Sequence, residues 1–365
     1  MSHFMSWTRL NEFVRAAFMA WGVPAEDAAI CADVLLESDR RGIESHGVNR
    51  FKPIYIDRIQ AGIQQAKTEF ELLRETPTTA VVDGHHGMGQ VIGHRAMSMA
   101  IAKAKEFGMG MVAVRNSTHY GIAGYYATMA TQAGCVGMTG TNARPSIAPT
   151  FGVENMLGTN PLTIGLPTDE PFPFVLDCAT SINQRGKIEY YERLGKDTPA
   201  GQVITRQGET LTDSALILEA LTKGEAALVP LGGMGEEMGG YKGYGYATVV
   251  EVLSAALQAG NFLHGLSGVR DGEKVPYGLG HFFLAIDTEA FLGRESFEKT
   301  TGEILRSLRA SEKAPGYERI YTAGEKEYLI SQERRDGLFI NDAVAAELTA
   351  VRDGKGLPFS FPWEE

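Results

Sequence analysis

Two histidines sit in short turns flanked by glycine, Ser45-His46-Gly47-Val48-Asn49-Arg50 and Ser117-Thr118-His119-Tyr120-Gly121. A neutral imidazole is the usual proton acceptor near pH 7, and a guanidinium fork grips a carboxylate through two parallel hydrogen bonds. His46, His119 and Arg50 together point to chemistry on a small acid that bears a hydroxyl or keto group. The spacing supports this: a helix capped by Asn49 and running to Ala61, with Pro53 near its start, sets His46 and Arg50 side by side at its first turn. A Ser-His-Gly sequence also serves as a plain turn. His119 is expected between a strand and a helix, whose N-terminus disfavours the imidazolium and keeps the ring basic; a bond to a backbone carbonyl is the other use of a histidine there.

Three further stretches carry weaker signals. Gly87-Met88-Gly89-Gln90-Val91-Ile92-Gly93 follows a strand and opens a helix, which invites a dinucleotide-binding reading. Its spacing is GxGxxxG, and the next strand ends on Arg115-Asn116-Ser117 where an NAD-binding Rossmann fold places an acid for the ribose. An arginine there suits a 2′-phosphate; the plainer reading is glycines easing a tight turn. Asp177-Cys178-Ala179-Thr180-Ser181 offers a carboxylate and two hydroxyls to a ribose or phosphate, or simply a cap. Lys242 stands among glycines at a helix start, suited to an anion. His85, His86 and His94 lack the carboxylate or His-x-x-x-His spacing of a metal site, so no metal is expected.

The elements that must position these residues read as two parts. The stretch 1–76 is mostly helical, with Thr8 and Pro24 opening the first two helices. Residues 77–290 alternate strands with helices: strands at Thr78–Asp83, Met109–Val114, Val136–Thr141, Leu162–Leu166, Phe174–Leu176 and His281–Ile286, helices at Gln90–Phe107, Ile122–Ala133, Ser214–Leu221 and Tyr244–Gln258. No helical crossover separates Leu162–Leu166 from Phe174–Leu176, so the sheet is expected to be mixed. Long polar loops are expected at Glu192–Thr212 and Gly224–Gly240. Residues 291–365 return to amphipathic helix and are expected to pack back on the first part, giving an α/β fold with a helical domain built from both chain ends.

Composition sets outer limits. A length of 365 residues suggests two domains, and 44% hydrophobic with 22% charged residues is ordinary for a soluble globular protein. A net charge of -11 repels phosphate backbones, which argues against nucleic acid as a partner. No stretch resembles a targeting signal or membrane span, so a cytoplasmic location is expected. Cys31, Cys135 and Cys178 form no C-x-x-C pair and are expected to be buried apolar residues.

In order along the chain, Arg41-Gly42-Ile43-Glu44-Ser45-His46-Gly47 with Arg50, Ser117-Thr118-His119-Tyr120-Gly121, Gly158-Thr159-Asn160-Pro161-Leu162, Asp177 to Ser181, Gly186-Lys187 and Tyr241 to Gly245 resemble the type II malate/L-lactate dehydrogenase family, which also holds ureidoglycolate and sulfolactate dehydrogenases and diketogulonate reductase. The resemblance implies NAD- or NADP-dependent interconversion of a 2-hydroxy and a 2-keto acid, on a non-Rossmann fold, in a homodimer. It implies that His119 takes the hydroxyl proton while His46 and Arg50 hold the substrate, or that His46 is the proton donor. It places the cofactor along Asn142 and Ala143, Asp177, Cys178 and Ala179, Lys242, and the Gly324-Glu325 turn. Relatives often have serine where Ala143 stands and methionine where Cys178 stands. The segment Tyr190 to Gly240 is variable in the family and marks a subgroup of unassigned substrate. A protein that merely holds a small anion in the same basic, glycine-rich loops is the alternative from another class.

Overall fold

A computed structural model describes residues 2–364. Its centre is a seven-stranded sheet in the spatial order Glu71–Glu75, Thr79–Asp83, Met109–Ser117, Leu279–Asp287, Cys135–Thr141, Leu162–Leu166, Phe174–Cys178. Only Thr79–Asp83 and Met109–Ser117 run parallel, across the helical crossover Gly89–Phe107; the other neighbours are antiparallel. The sheet is therefore mixed, as the missing crossover implied. Leu279–Asp287 inserts between strands nearly 150 residues earlier and buries Phe282, Phe283 and Ala285, which makes it the structural spine.

The two chain ends meet. Ser2–Ser6 pairs antiparallel with Gly337–Asn341, setting Phe4 opposite Phe339, a pairing with no signal in the sequence. One apolar cluster joins Leu10, Phe13 and Phe18 of the first helix to Leu338, Ile340, Leu348 and Phe361. Helix Arg294–Arg309 is fastened elsewhere, by Arg306 to Asp169 (2.8 Å) and by Arg309 to Glu170, on the connection between the last two sheet strands.

Several expected elements differ. Ser6, not Thr8, caps helix Trp7–Ala20, its side chain accepting the Arg9 N–H. The expected helix from Asn49 begins as a 3-10 turn at Val48–Arg50, continues as a π-helix over Phe51–Ile56, and becomes α only at Asp57–Gln60 before Gly62 stops it at φ +71°. Pro53 has no amide to give to the Asn49 carbonyl, so the α ladder cannot start there, and the wider winding turns Phe51, Tyr55 and Ile56 inward. The polar stretch around residue 200 is less loop-like than expected: helix Arg185–Arg193 precedes it, and Val203–Thr205 pairs with Ala226–Leu228 over its own small core. Cys31 and Cys135 are buried, whereas Cys178 is only half-buried.

Candidate active site

His119 hangs two residues past the strand Met109–Ser117, on a loop clamped by the helix that follows the glycine-rich turn. The Gly89 N–H donates to Thr118 Oγ1 (3.0 Å), and Thr118 Oγ1 donates to the Gly87 carbonyl (2.7 Å). A Cβ on Gly89 would collide with the carbonyls of Thr118 and His119. The glycines thus serve close approach of helix to histidine loop, and the pyrophosphate reading is overturned: the first helical amides are buried and the Met88 N–H is taken by Thr68 Oγ1. The 2′-phosphate role for Arg115 fails with it, because Arg115 Nε and Asn116 Nδ2 both donate to Asp83 Oδ2 at 2.8 and 2.9 Å.

Around His119 the two chain regions converge. The Tyr55 hydroxyl lies 2.8 Å from His119 Nδ1, and the Gly121 N–H approaches the same nitrogen at 3.3 Å. The buried Gln90 amide stands beside the Tyr55 hydroxyl, without another partner among the described residues. Nδ1 is thereby occupied, and Nε2 has no protein partner among the described residues. Burial, then the neighbouring His46 and the cationic Arg58 and Arg50, hold the His119 imidazolium well below the ordinary histidine range. The His46 ring stacks on it at 5.6 Å and 19°, with its own Nδ1 2.9 Å from Ser45 Oγ. Burial lowers the His46 pKa also, against the pull of Asp177.

The loop that carries His46 and Arg50 is held from beneath. Asp39, at the end of helix Ala25–Arg40, is buried and accepts the Val48 N–H at 2.7 Å, with its carboxylate pressed against Gly47, where a Cβ would have no room. Burial pushes the Asp39 carboxyl up to about 7. Ser38 Oγ donates to the Ile43 carbonyl, and Arg334 bonds both the Asp39 carbonyl and Glu44. Arg50 gives its Nε to the Ser45 carbonyl (2.6 Å) and has no carboxylate partner among the described residues.

Three cavities meet here. His46 and His119 line one of about 350 Å³ with Asn142, Ala143, Asp177, Cys178 and Ala179. Through Ser45, Ala143, Thr159 and Gln184 it adjoins a basic cavity of about 540 Å³ that contains Arg50. Through Ile43, Asp177 and Glu327 it adjoins a third of about 420 Å³, lined by Arg41, Phe172 and Gly324. Asp177 stands at that junction, its oxygens accepting from the Gly124 N–H (2.7 Å) and Thr163 Oγ1 (2.9 Å). The Asn142 amide is used within the protein, Nδ2 donating to the Asn261 carbonyl and Oδ1 accepting from the Gly280 N–H. Burial raises the Cys178 thiol pKa, so it faces the cavity uncharged. Glu325 is turned inward onto Arg319 and the Thr322 N–H, bracing the Gly324 turn. Lys242 lies at the start of helix Gly240–Leu253 near the Tyr241 ring and lines none of the three.

Sequence reasoning missed Tyr55, Asp39, Gln184 and Glu327. Tyr55 reads as a core aromatic four residues after Phe51, and Asp39 as an exposed helix-end acid; neither local pattern marks a site.

Two adjoining cavities thus flank a pair of imidazoles whose burial favours the neutral form, and the second of them contains a guanidinium with no carboxylate partner among the described residues. The sequence profile of the malate/L-lactate dehydrogenase family matches residues 5–349, and the chain belongs to that family. It is 43% identical to a malate dehydrogenase of Pyrococcus horikoshii over 96% of this chain and 94% of that one. It is 38% identical to an L-sulfolactate dehydrogenase of Methanocaldococcus jannaschii over 92% and 93%. A crystal structure of malate dehydrogenase from Entamoeba histolytica superposes with a TM-score of 0.94 at 44% identity, covering 99% of this chain and 100% of that one. The protein is a 2-hydroxy acid dehydrogenase, and the non-catalytic binding alternative is set aside.

Proposed function

We propose that the substrate's reacting carbon lies in the histidine cavity, with its carboxylate on the Arg50 guanidinium and its hydroxyl or keto oxygen at His119 Nε2. A bound nicotinamide dinucleotide, NAD or NADP, supplies the hydride acceptor or donor. In oxidation His119 takes the hydroxyl proton; in reduction the imidazolium returns it. Acceptance at Nε2 requires the tautomer that carries its proton on Nδ1 and donates it to the Tyr55 oxygen, which displaces the Gly121 N–H from that nitrogen; Tyr55 then leaves Nε2 as the nitrogen offered to the cavity. His46 stacks behind it and excludes water.

The residues present suit an elongated two-part cofactor. The histidine cavity and the Gly324 cavity abut at Asp177, and the lining between them, Ala143, Asp177, Cys178 and Ala179, offers backbone and one carboxylate without a bulky side chain. Asn142 takes part through its backbone, and Glu325 through the turn that it braces. The exposed apolar face of helix Gly240–Leu253, Tyr246, Val249 and Val252, supports a homodimer that buries it. Lys242 lies on that helix, so its place beside the cofactor requires the partner's cavity. The expectation of a cytoplasmic enzyme is kept: among the described residues no helix is long and apolar enough to cross a membrane.

The observation that carries this reading is a neutral His119 with Nδ1 anchored and Nε2 without a protein partner, in a cavity adjoining Arg50. Its test is absorbance of the reduced nicotinamide with a panel of 2-keto acids. Replacing His119 by Ala lowers kcat by roughly 10² to 10⁴, the usual worth of a general base, whereas replacing His46 by Ala acts mainly on KM. The reverse pattern assigns proton transfer to His46 and overturns the role given to His119.

A further inference from the structure

The tyrosine that anchors His119 has a proton of its own to place. Tyr55 is fully buried, and burial holds its phenol well above the ordinary tyrosine range, so the hydroxyl keeps its hydrogen. Its oxygen lies 2.8 Å from His119 Nδ1, and only one hydrogen fits between the two atoms. If that hydrogen belongs to the tyrosine, Nδ1 is the acceptor, the neutral ring carries its proton on Nε2, and the nitrogen facing the cavity cannot take another. If it belongs to the ring, Nε2 has a free lone pair and the tyrosine O–H must find a different acceptor. The Gly121 N–H, 3.3 Å from Nδ1, favours the first, unproductive arrangement. The second needs an acceptor beside the hydroxyl, and Gln90 stands there, in the first turn of helix Gly89–Phe107. Gln90 is completely buried, and both its amide oxygen and its amide nitrogen lack a hydrogen-bond partner among the described residues. A buried amide with neither end satisfied is rare unless a neighbour's proton is meant for it. Its place relative to the ring is fixed from the preceding residue, because the Gly89 N–H donates to Thr118 Oγ1 and the Thr118 and His119 carbonyls fill the space where a Gly89 Cβ would stand.

We infer that Gln90 is a positioning residue that sets the tautomer of His119: its Oε1 accepts the Tyr55 O–H, which leaves the Tyr55 oxygen to accept Nδ1–H and frees Nε2 for the substrate proton. The inference rests on His119 as the proton acceptor proposed above. A half-turn of the amide exchanges its oxygen and nitrogen, so the side chain can present either end. With the nitrogen toward the tyrosine, the O–H would be left to Nδ1 and the ring would be locked with Nε2 protonated. With the oxygen toward it, the three groups form a one-way series, Nδ1–H to the tyrosine oxygen and O–H to the amide oxygen. In oxidation the hydroxyl proton of the substrate adds to Nε2 while hydride leaves the same carbon for the nicotinamide, and the hydrogens of Nδ1 and Tyr55 stay where they are. The series orients the base and carries no proton away.

The experiment reads the tautomer directly, by proton–nitrogen correlation spectra of the protein labelled with nitrogen-15 histidine, in which the His119 signals are those missing from His119→Ala. The wild type should carry its ring proton on Nδ1. Gln90→Leu should move it to Nε2 and lower kcat for oxidation by roughly 5- to 100-fold, the weight of one buried hydrogen bond, with the affinity for reduced nicotinamide unchanged. Gln90→Glu returns an acceptor oxygen and should restore the Nδ1–H form and part of the lost rate. Adding Tyr55→Phe to Gln90→Leu should cost less than about 2-fold beyond the larger single loss, since the amide acts only through the hydroxyl. A ring proton on Nε2 in the wild type overturns the inference with no substitution at Gln90 needed. So does a Gln90→Leu protein that loses rate with its tautomer unchanged, which is a structural role, or one that keeps both, and so do losses that multiply in the double variant. If instead His119→Ala retains its kcat, the underlying assignment of the base fails, and the tautomer measurement still reads what Gln90 does to the ring.

Discussion

Replacing Tyr55 by Phe removes one oxygen and leaves the fold almost untouched, so it isolates what that hydroxyl does for His119. The hydroxyl lies 2.8 Å from Nδ1. When Nε2 accepts the substrate proton, Nδ1–H becomes the donor of a charged ring, and its bond to the Tyr55 oxygen strengthens. A neutral hydrogen bond is worth about 1 kcal/mol net and one to a charged group about 1.5–3 kcal/mol, so the gain confined to the charged form is about 0.5–2 kcal/mol. At about 1.36 kcal/mol per decade this is a loss of roughly 2- to 30-fold in kcat for oxidation, with a further drop of about one unit in the His119 pKa. Steady-state kcat across pH, with saturating substrate and cofactor, reads both. Adding Tyr55→Phe to His119→Ala should then cost nothing further, since the hydroxyl acts only through the ring. A kcat within twofold of wild type and an acid limb at the same pH would refute Nδ1 anchoring as a catalytic contribution.

The lowered pKa of His119 makes the two directions respond differently to pH. Oxidation needs the neutral ring, so its kcat/KM should stay level down to pH 6.5 and fall only beneath it. Reduction needs the imidazolium, so its kcat/KM should fall about tenfold per pH unit above the depressed pKa; a level reduction rate between pH 6.5 and 8 would contradict this. For assembly, Val252→Glu places a charge on the apolar face of helix Gly240–Leu253, where Val252 is 52% exposed in the single chain. Sedimentation should show a dimer for the wild type and a shift toward monomer for the variant, and a monomeric wild type at micromolar concentration would remove the proposed interface.

Much of the site was legible because its chemistry sits where glycine punctuates the chain. His46 and His119 each occupy a turn at the end of an element, and the structure brings them into one stack although they are 73 positions apart. The mixed sheet was legible from an absence, the lack of a helix between two short apolar strands. What escaped is support carried by winding and by distant pairing. A tyrosine at i+4 from Phe51 predicts a core position, and only the π-helix that Pro53 enforces delivers its hydroxyl to His119. Asp39 holds the histidine loop through a single backbone amide, a contact that no side-chain pattern encodes. The strand Ser2–Ser6 has a partner more than 330 residues away, and five residues carry no periodicity long enough to show it. The glycine-rich turn left two readings open for a related reason: close packing and phosphate binding both call for residues without a Cβ.

The charges around His119 tie proton transfer to substrate binding. In the free protein Arg58 and Arg50 disfavour the imidazolium, on top of the cost of burial. An acid that settles on Arg50 neutralises part of that field, so the pKa of His119 must rise when substrate binds, and by linkage the substrate must bind more tightly to the protonated ring. A 2-keto acid needs that proton for reduction and recruits it by arriving. A 2-hydroxy acid delivers a proton to a ring whose affinity for it the bound carboxylate has just increased. The same uncompensated guanidiniums that make the free site electrostatically poor thus let one histidine serve both directions near neutral pH. A binding-only role would have no use for the buried imidazole that they surround.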